Sequence, residues 1–350
     1  MEFELNQIKI IYLRCEFNEN EKRTPIIPTD IPKLLETGFI VYIETSKNRI
    51  FTDSEYLNQG AIITNKHWYH PDFQYALIVG LKDIRELDKL TNHKHLYFAH
   101  CYKNQQNSQV ILNSFFNSKS VIYDFEYFFC NNNNKKRLIS FGYYAGITCA
   151  LITLLHYSLK QNGSQLSNLT HWDSFYDVLN ELINQKTIFE KLNIGIVGAN
   201  GNCGTGVTFI LDKLGLYYTT YDRNSDKSNL KTNDILFNCI TLHELSSEIW
   251  FDKNTVFDKS IIISDISCDY SKLNNPIQIY CENTTWENPV FQYNEFVDII
   301  AINNLPSLIP KESSQYFSSI CVDLINNIHN DVNLYWKKNE AVFYDKFGPL

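Results

Sequence analysis

Lys82 and His100 each stand just past a short apolar run, Tyr75-Ala76-Leu77-Ile78-Val79-Gly80-Leu81 for the lysine and Leu96-Tyr97-Phe98-Ala99 for the histidine. If both runs are strands of a parallel sheet, both side chains emerge at its carboxyl edge, where open α/β sheets meet their ligands. A lysine serves as a base near neutral pH only when its pKa is depressed, which burial or a cationic neighbour such as His100 or Arg23 would supply. An imidazole titrates there unaided. Proton transfer is the chemistry these two residue types offer. Glu126, after Val121-Ile122-Tyr123-Asp124-Phe125, is expected near the same edge.

A second constellation is Asn193-Ile194-Gly195-Ile196-Val197-Gly198-Ala199-Asn200-Gly201-Asn202-Cys203-Gly204-Thr205-Gly206-Val207. It reads as strand, tight turn and helix, with Gly198, Gly201 and Gly204 spaced G-x-x-G-x-x-G rather than G-x-G-x-x-G. A side chain at Gly201 or Gly204 is expected to block a pyrophosphate approaching the helix N-terminus. The next run, Leu216 to Tyr221, ends in Asp222, where an acid can hydrogen-bond an adenosine ribose. That carboxylate favours NAD over NADP, although the adjacent Arg223 is one way of holding a 2′-phosphate.

The elements that must position these groups follow an α/β rhythm. With 350 residues the chain suits two domains. The expected fold is α/β, with two Rossmann-like domains whose parallel sheets are separated by an active-site cleft. Residues 1–140 plus 311–350 would form a discontinuous catalytic domain, and 141–310 the NAD-binding domain. Residues 131–136 read as a hairpin loop, Ile147 to Leu159 as a long apolar helix, and Phe175 to Ile183 as an amphipathic one. Pro25 and Pro28 fix an extended loop carrying Arg23, and Pro306 opens the way back to the first domain.

Composition narrows the partners. The net charge of −8 and the lack of a basic run beyond Lys135-Lys136-Arg137 argue against nucleic acid. No apolar run reaches membrane-spanning length, and Met1 to Asn6 lacks the pattern of a secretory signal, so a cytoplasmic protein is expected. The nine cysteines form no C-x-x-C pair, which points to neither a metal site nor a disulfide framework.

In their order along the chain these stretches resemble NAD-dependent, lysine-forming saccharopine dehydrogenase, and more distantly alanine dehydrogenase. The resemblance runs through Arg23 ahead of Pro28, Gly80-Leu81-Lys82-Asp83, Phe98-Ala99-His100-Cys101-Tyr102-Lys103, Tyr123-Asp124-Phe125-Glu126 and Phe141-Gly142-Tyr143-Tyr144-Ala145-Gly146. It continues in the glycine turn, Asn238-Cys239-Ile240, Asp265-Ile266-Ser267-Cys268-Asp269 and Leu305-Pro306-Ser307-Leu308-Ile309-Pro310. It implies reversible oxidation of saccharopine by NAD to lysine and 2-oxoglutarate, with Lys82 and His100 as acid-base groups. It further implies that Arg23, Lys82, Gln105, Arg137 and Phe141 bind the substrate, with Ser267, Cys268 and Asp269 on its other side. Lys136, Gly198, Gly201, Asn202, Gly204, Asp222, Thr241, Ile266, Ile302, Asn303, Asn304 and Leu305 would contact the cofactor. The partner is thus a small molecule, and the chain a monomer or small homo-oligomer.

The chain departs from the family at four positions. Asn303 stands for an aspartate expected to pair with Lys103, Thr241 for an aromatic residue, Asp83 for a glutamate and Lys136 for an arginine. A related amino-acid or opine-type dehydrogenase, or a non-catalytic NAD-binding homologue, is an alternative. The resemblance also matches Cys203 and Cys239 to a cysteine pair able to form a reversible disulfide, with free thiols as the resting state.

Overall fold

The computed structural model describes residues 4–347 except 104, 106, 131–136 and 241–247. The chain runs β1 (Ile10–Leu13), α1 (Ile31–Glu36), β2 (Ile40–Glu44), α2 (Asp53–Asn58), β3 (Ile62–Thr64), β4 (Ala76–Val79), β5 (Lys94–Tyr97), α3 (Ser108–Asn117) and β6 (Val121–Asp124). There follow α4 (Gly142–Gln161), α5 (Phe175–Asn184), β7 (Ile194–Val197), α6 (Asn202–Leu214), β8 (Thr219–Tyr221), β9 (Ile235–Asn238) and β10 (Ile261–Asp265). Last come β11 (Phe291–Gln292), β12 (Val297–Ile300), α7 (Pro310–Asn326) and α8 (Tyr335–Phe347). Two units result, Met1–Ser140 with Pro310–Leu350, and Phe141–Ile309. Pro310, read from sequence as the end of the second domain, heads α7 in the first unit.

In the first unit the described strands lie in the order β3-β2-β1-β4-β5-β6, all parallel. The order reverses between β1 and β4, a switch point of the kind at which α/β sheets bind ligands. β4, β5 and β6 are buried at every residue, as parallel strands covered on both faces are. β5 starts earlier than its apolar run because Lys94 and His95 are buried despite their polarity; His95 packs edge-on to Trp68 at 4.8 Å and Phe115 at 5.3 Å. At β6 the strand stops at Asp124, whose Oδ1 accepts the Glu126 amide at 2.8 Å and bends Phe125 and Glu126 into a turn. The hairpin expected at 131–136 lies outside the described residues, and Arg137 forms a single antiparallel bridge to Phe129.

Helices from the C-terminal segment complete this unit. On α7, Ser314 Oγ accepts the Thr24 amide at 2.9 Å, and Ser318 Oγ accepts the Ile27 amide at 3.0 Å while donating to Asp30 at 2.7 Å. Small hydroxyls there let the Arg23 loop lie against the helix with its amides satisfied. On α8, the Asn339 side chain accepts the Asp124 amide and donates to the Asp124 carbonyl, at 2.9 and 2.8 Å, closing the free edge of β6.

In the second unit the order is β11-β12-β10-β9-β7-β8, parallel except that β11 runs antiparallel to β12. The helices α4 and α6 cross at backbone contact. A Cβ on Gly146 would lie 2.9 Å from the Cys203 carbonyl carbon, and one on Gly206 2.8 Å from the Ile147 nitrogen. Ser174 caps α5 by accepting the Tyr176 amide, and Gly215, at φ +63°, ends α6. β8 is shorter than the Leu216–Tyr221 run suggests, with Tyr217 91% exposed just past that cap. No described helix is long and apolar enough to cross a membrane.

Candidate active site

At the first unit's switch point the segments leaving β1 and β4 run side by side, the Arg14 amide donating to the Val79 carbonyl at 3.0 Å. Glu16 turns its carboxylate onto the neighbouring chain, Oε1 accepting the Leu81 amide at 2.7 Å and Oε2 the Lys82 amide at 3.0 Å. Arg14 donates to the Lys82 carbonyl and pairs with Glu16 at 3.4 Å. A side chain on Gly80 would overlap the Arg14 guanidinium and displace it. Lys82 is half-buried, and burial followed by the Arg23 charge holds its pKa below the usual lysine range, against the pull of Glu21, Glu16 and Asp83.

Arg23 is buried and meets Glu21 in a two-pronged pair, Nε to Oε1 at 2.7 Å and Nη2 to Oε2 at 2.6 Å. Burial pushes Glu21 up, but Arg23 and then Lys82 outweigh it and keep it below the usual carboxylate range. Arg14, Glu16, Glu21, Arg23 and Arg49 line a polar hollow beside these groups. The sequence analysis marked none of Arg14, Glu16 and Glu21 as site residues. The available signal was that β1 carries charges just past its end, as β4 does.

His100 adopts φ +48° and stacks on Phe98 with ring centroids 6.0 Å apart. The residue is exposed by area, yet the protein crowding its ring, and then the Lys82 charge, hold the imidazole below its ordinary pKa; Glu126 and Asp83 pull the other way. The expectation that His100 titrates unaided is corrected on this point: its own burial and the Lys82 charge bear on the imidazole. Glu126 binds Lys103 at 2.9 Å and Arg137 at 3.2 Å. Its own burial is outweighed by Arg137, Lys103 and His100, so it stays below the usual range. The Gln105 side chain accepts the Lys103 amide at 2.7 Å and closes the turn after His100.

The glycine turn of the second unit separates three roles. Gly198 has φ +85°, a conformation that favours glycine. A Cβ on Gly204 would lie 2.5 Å from Ala199 Cα, so the turn's own packing already requires glycine there. Around Gly201 the nearest atoms stand at 3.5 and 4.0 Å, and nothing in the fold forbids a side chain there. Space at the start of α6 is what an incoming phosphate needs, and Gly201 caps that helix with no side chain over its positive end. Asp222 is exposed at the end of β8, its Oδ1 accepting from the amides of Asn224 and Ser225 and the Ser225 hydroxyl. Those bonds, the hydroxyl first, hold its pKa below the usual range. The residues present therefore fit a dinucleotide.

Beyond β10 the loop is organised by Asp265, which is fully buried and accepts from Tyr280 Oη at 2.6 Å, Asn238 Nδ2 at 2.9 Å and Ser267 Oγ at 2.7 Å. Burial raises its pKa, and these donors oppose that. Ile266, Ser267, Cys268 and Asp269 follow in this loop, Cys268 with φ +52° and Asp269 paired to Lys272 at 2.7 Å. Tyr280 carried no signal in the sequence. In the turn after β12, Ile302 and Leu305 are buried, Asn303 is exposed, and Asn304 accepts the Trp286 indole at 3.1 Å. Phe141 sits at the start of α4.

Residues 12–148 match the model for the alanine dehydrogenase/PNT N-terminal domain. The Schizosaccharomyces pombe protein named saccharopine dehydrogenase (NAD(+), L-lysine-forming) is 30% identical over 338 residues, 89% of this chain and 91% of that one. The Candida glabrata protein of the same name is 30% identical over 357 residues, 95% of each chain. The chain belongs to the lysine-forming saccharopine dehydrogenases. Members of this family are NAD-dependent oxidoreductases acting on a CH–NH bond. An L-alanine dehydrogenase structure, 14% identical, superimposes with a TM-score of 0.70 over 95% of this chain and 94% of that one, which shows a shared fold.

Against the saccharopine dehydrogenase pattern, Asn303 removes an acid, yet Lys103 has a carboxylate partner in Glu126. Cys203 and Cys239 are not joined by a disulfide. Burial, and then the neighbouring Cys203, push the Cys239 thiol well above its usual pKa. Lys136 and Thr241 lie outside the described residues.

Proposed function

We propose that this chain oxidises saccharopine with NAD and water to L-lysine and 2-oxoglutarate, with Lys82 and His100 moving the protons. The observation that carries the reading is Lys82 at the switch point of a parallel sheet, its pKa lowered by burial and by Arg23 and its backbone gripped by Arg14 and Glu16. Bound NAD supplies a hydride acceptor for the substrate carbon that bears the secondary amine. Lys82 takes the proton of that secondary ammonium, which frees the nitrogen lone pair to expel hydride. His100 then removes a proton from the water adding to the imine carbon and returns one to the nitrogen as lysine leaves.

Arg23, oriented by Glu21, and Arg137, oriented by Glu126, meet the substrate carboxylates, for which planar guanidinium groups are suited. Gln105 and Phe141 accompany them, and Ser267, Cys268 and Asp269 line the other side of the substrate. Gly201, Asn202, Asp222, Ile266 and the turn from Ile302 to Leu305 contact the cofactor, with Gly198 and Gly204 shaping its loop. The enzyme acts on small molecules only.

The test is NADH formation from saccharopine, with alanine and NADP run beside it. Lys82→Met and His100→Gln should each lower turnover by about 10²- to 10⁴-fold. Wild-type turnover of saccharopine no faster than in the Lys82→Met/His100→Gln double variant, or turnover of alanine alone, would overturn the reading.

A further inference from the structure

Lys82 does not reach its position through its own strand alone. Both oxygens of Glu16 are spent on two successive amides, Leu81 at 2.7 Å and Lys82 at 3.0 Å; burial raises the pKa of this carboxyl, and Arg14 and the two amides oppose that by favouring the ionised form, which accepts on both sides. The carbonyl of the same lysine is taken by Arg14, whose guanidinium also pairs with Glu16 at 3.4 Å and donates to the Cys15 carbonyl at 3.3 Å. Both side chains are buried, at 1% and 7% exposure. Arg14 further lies over the Tyr97 ring, 5.8 Å from its centroid, and occupies the space that a side chain on Gly80 would need. A buried ion pair costs desolvation and is no simple gain in stability. Its geometry has another consequence, because it holds the backbone on both sides of the Lys82 α-carbon.

We propose that Arg14 and Glu16 are positioning residues for Lys82, clamping its backbone from the neighbouring strand end so that the ammonium is held in one place. The inference rests on the reading of Lys82 as an acid-base group. The charged groups facing Lys82 are Arg23, Glu21, Glu16, Asp83 and His100. Of these Glu16 is the one that binds the lysine's own amide. Glu16 therefore acts twice, fixing the peptide and favouring the charged form of the lysine above it. In Glu16→Gln one acceptor becomes an NH2 group facing an amide hydrogen, and the charge is gone. Lys82 then moves, and its proton is held less tightly.

The experiment uses the full chain in wild-type form and as Glu16→Gln, Arg14→Lys and Lys82→Met. One readout is kcat/KM for saccharopine against pH. The other is the pH dependence of Lys82 acylation by acetic anhydride, followed by mass spectrometry of its peptide, which needs no turnover. Glu16→Gln should lower kcat/KM by roughly a hundredfold, the scale of a displaced catalytic group, with NAD affinity unchanged and the acylation midpoint shifted to lower pH. Arg14→Lys, which keeps the charge but not the fork, should lower kcat/KM with a smaller shift of the midpoint. A folded Glu16→Gln with kcat/KM within about twofold of wild type and an unmoved acylation profile overturns the proposal; should that variant not fold, the same pair of results in Arg14→Lys decides it. Wild-type turnover in Lys82→Met would sink the proposed role of the lysine instead, while the acylation shift would still report on the clamp.

Discussion

Lys103 and Glu126 meet at 2.9 Å across the loops that follow β5 and β6, and Arg137 closes on the other oxygen of the same carboxylate. One acid thus pairs with two cations beside His100, whose imidazolium Glu126 also favours. In Glu126→Gln that support is removed while Lys82 and Lys103 continue to repel a second positive charge. The His100 midpoint, followed by NMR through its ring C–H signals, should fall further below the ordinary histidine value. A midpoint that stays or rises would show that Glu126 does not act on the histidine.

The glycine turn separates folding from binding at two positions three residues apart. Gly204→Ala forces a methyl group into the Gly198–Ala199 backbone and should cost about 1–3 kcal/mol in urea unfolding, as overpacking does. Gly201→Ala meets only ordinary contacts at an extended φ of −80°, so stability should hold or rise by up to about 1 kcal/mol. NAD affinity, read by fluorescence titration, should drop in Gly201→Ala. Unchanged affinity there would dismiss the role of this glycine in admitting the cofactor.

His93 carries a pH dependence that can be isolated by difference. Burial lowers its pKa from 6.5 to about 4, so the folded state resists a proton that the unfolded chain accepts. Its contribution to stability is complete above pH 6.5 and is lost as the pH falls toward 4, by about 3 kcal/mol in all. Asp124, pushed up to about 7 by burial, works in the opposite sense: the folded state takes up its proton first and gains stability as the pH falls from 7. The informative quantity is therefore wild type minus His93→Gln, measured by urea unfolding. That difference should shrink by about 3 kcal/mol between pH 7 and 4, and a difference independent of pH contradicts the account.

The loop of Arg23 depends on a helix from the far end of the chain. Ser318→Ala leaves the Ile27 amide and Asp30 without their shared hydroxyl and should cost about 1–3 kcal/mol, the usual consequence of stranding a buried polar group. Saccharopine KM should rise with it, because Arg23 is carried by that loop, while NAD affinity stays as in the wild type. Thermal unfolding and steady-state kinetics on the one variant check both, and wild-type stability would refute the stitching role.

Much of the site could be read directly from the chain. The turn from Gly198 to Gly204 declares itself because a left-handed φ, a helix start and a flanking strand are all local properties. Lys82 and His100 stand at strand ends because an apolar run followed by a charge is a local pattern too. Nothing local marks Glu16 as a ligand of the Lys82 amide, 66 positions away. That contact exists because β1 pairs with β4 rather than with a sequence neighbour on that side. Strand order likewise buried His95 in a sheet covered on both faces, and helix crossing gave Gly146 and Gly206 their purpose. Periodicity and turn chemistry are written by adjacent residues; hydrogen bonds between strand ends and the desolvation of a charge depend on which distant segments are brought together.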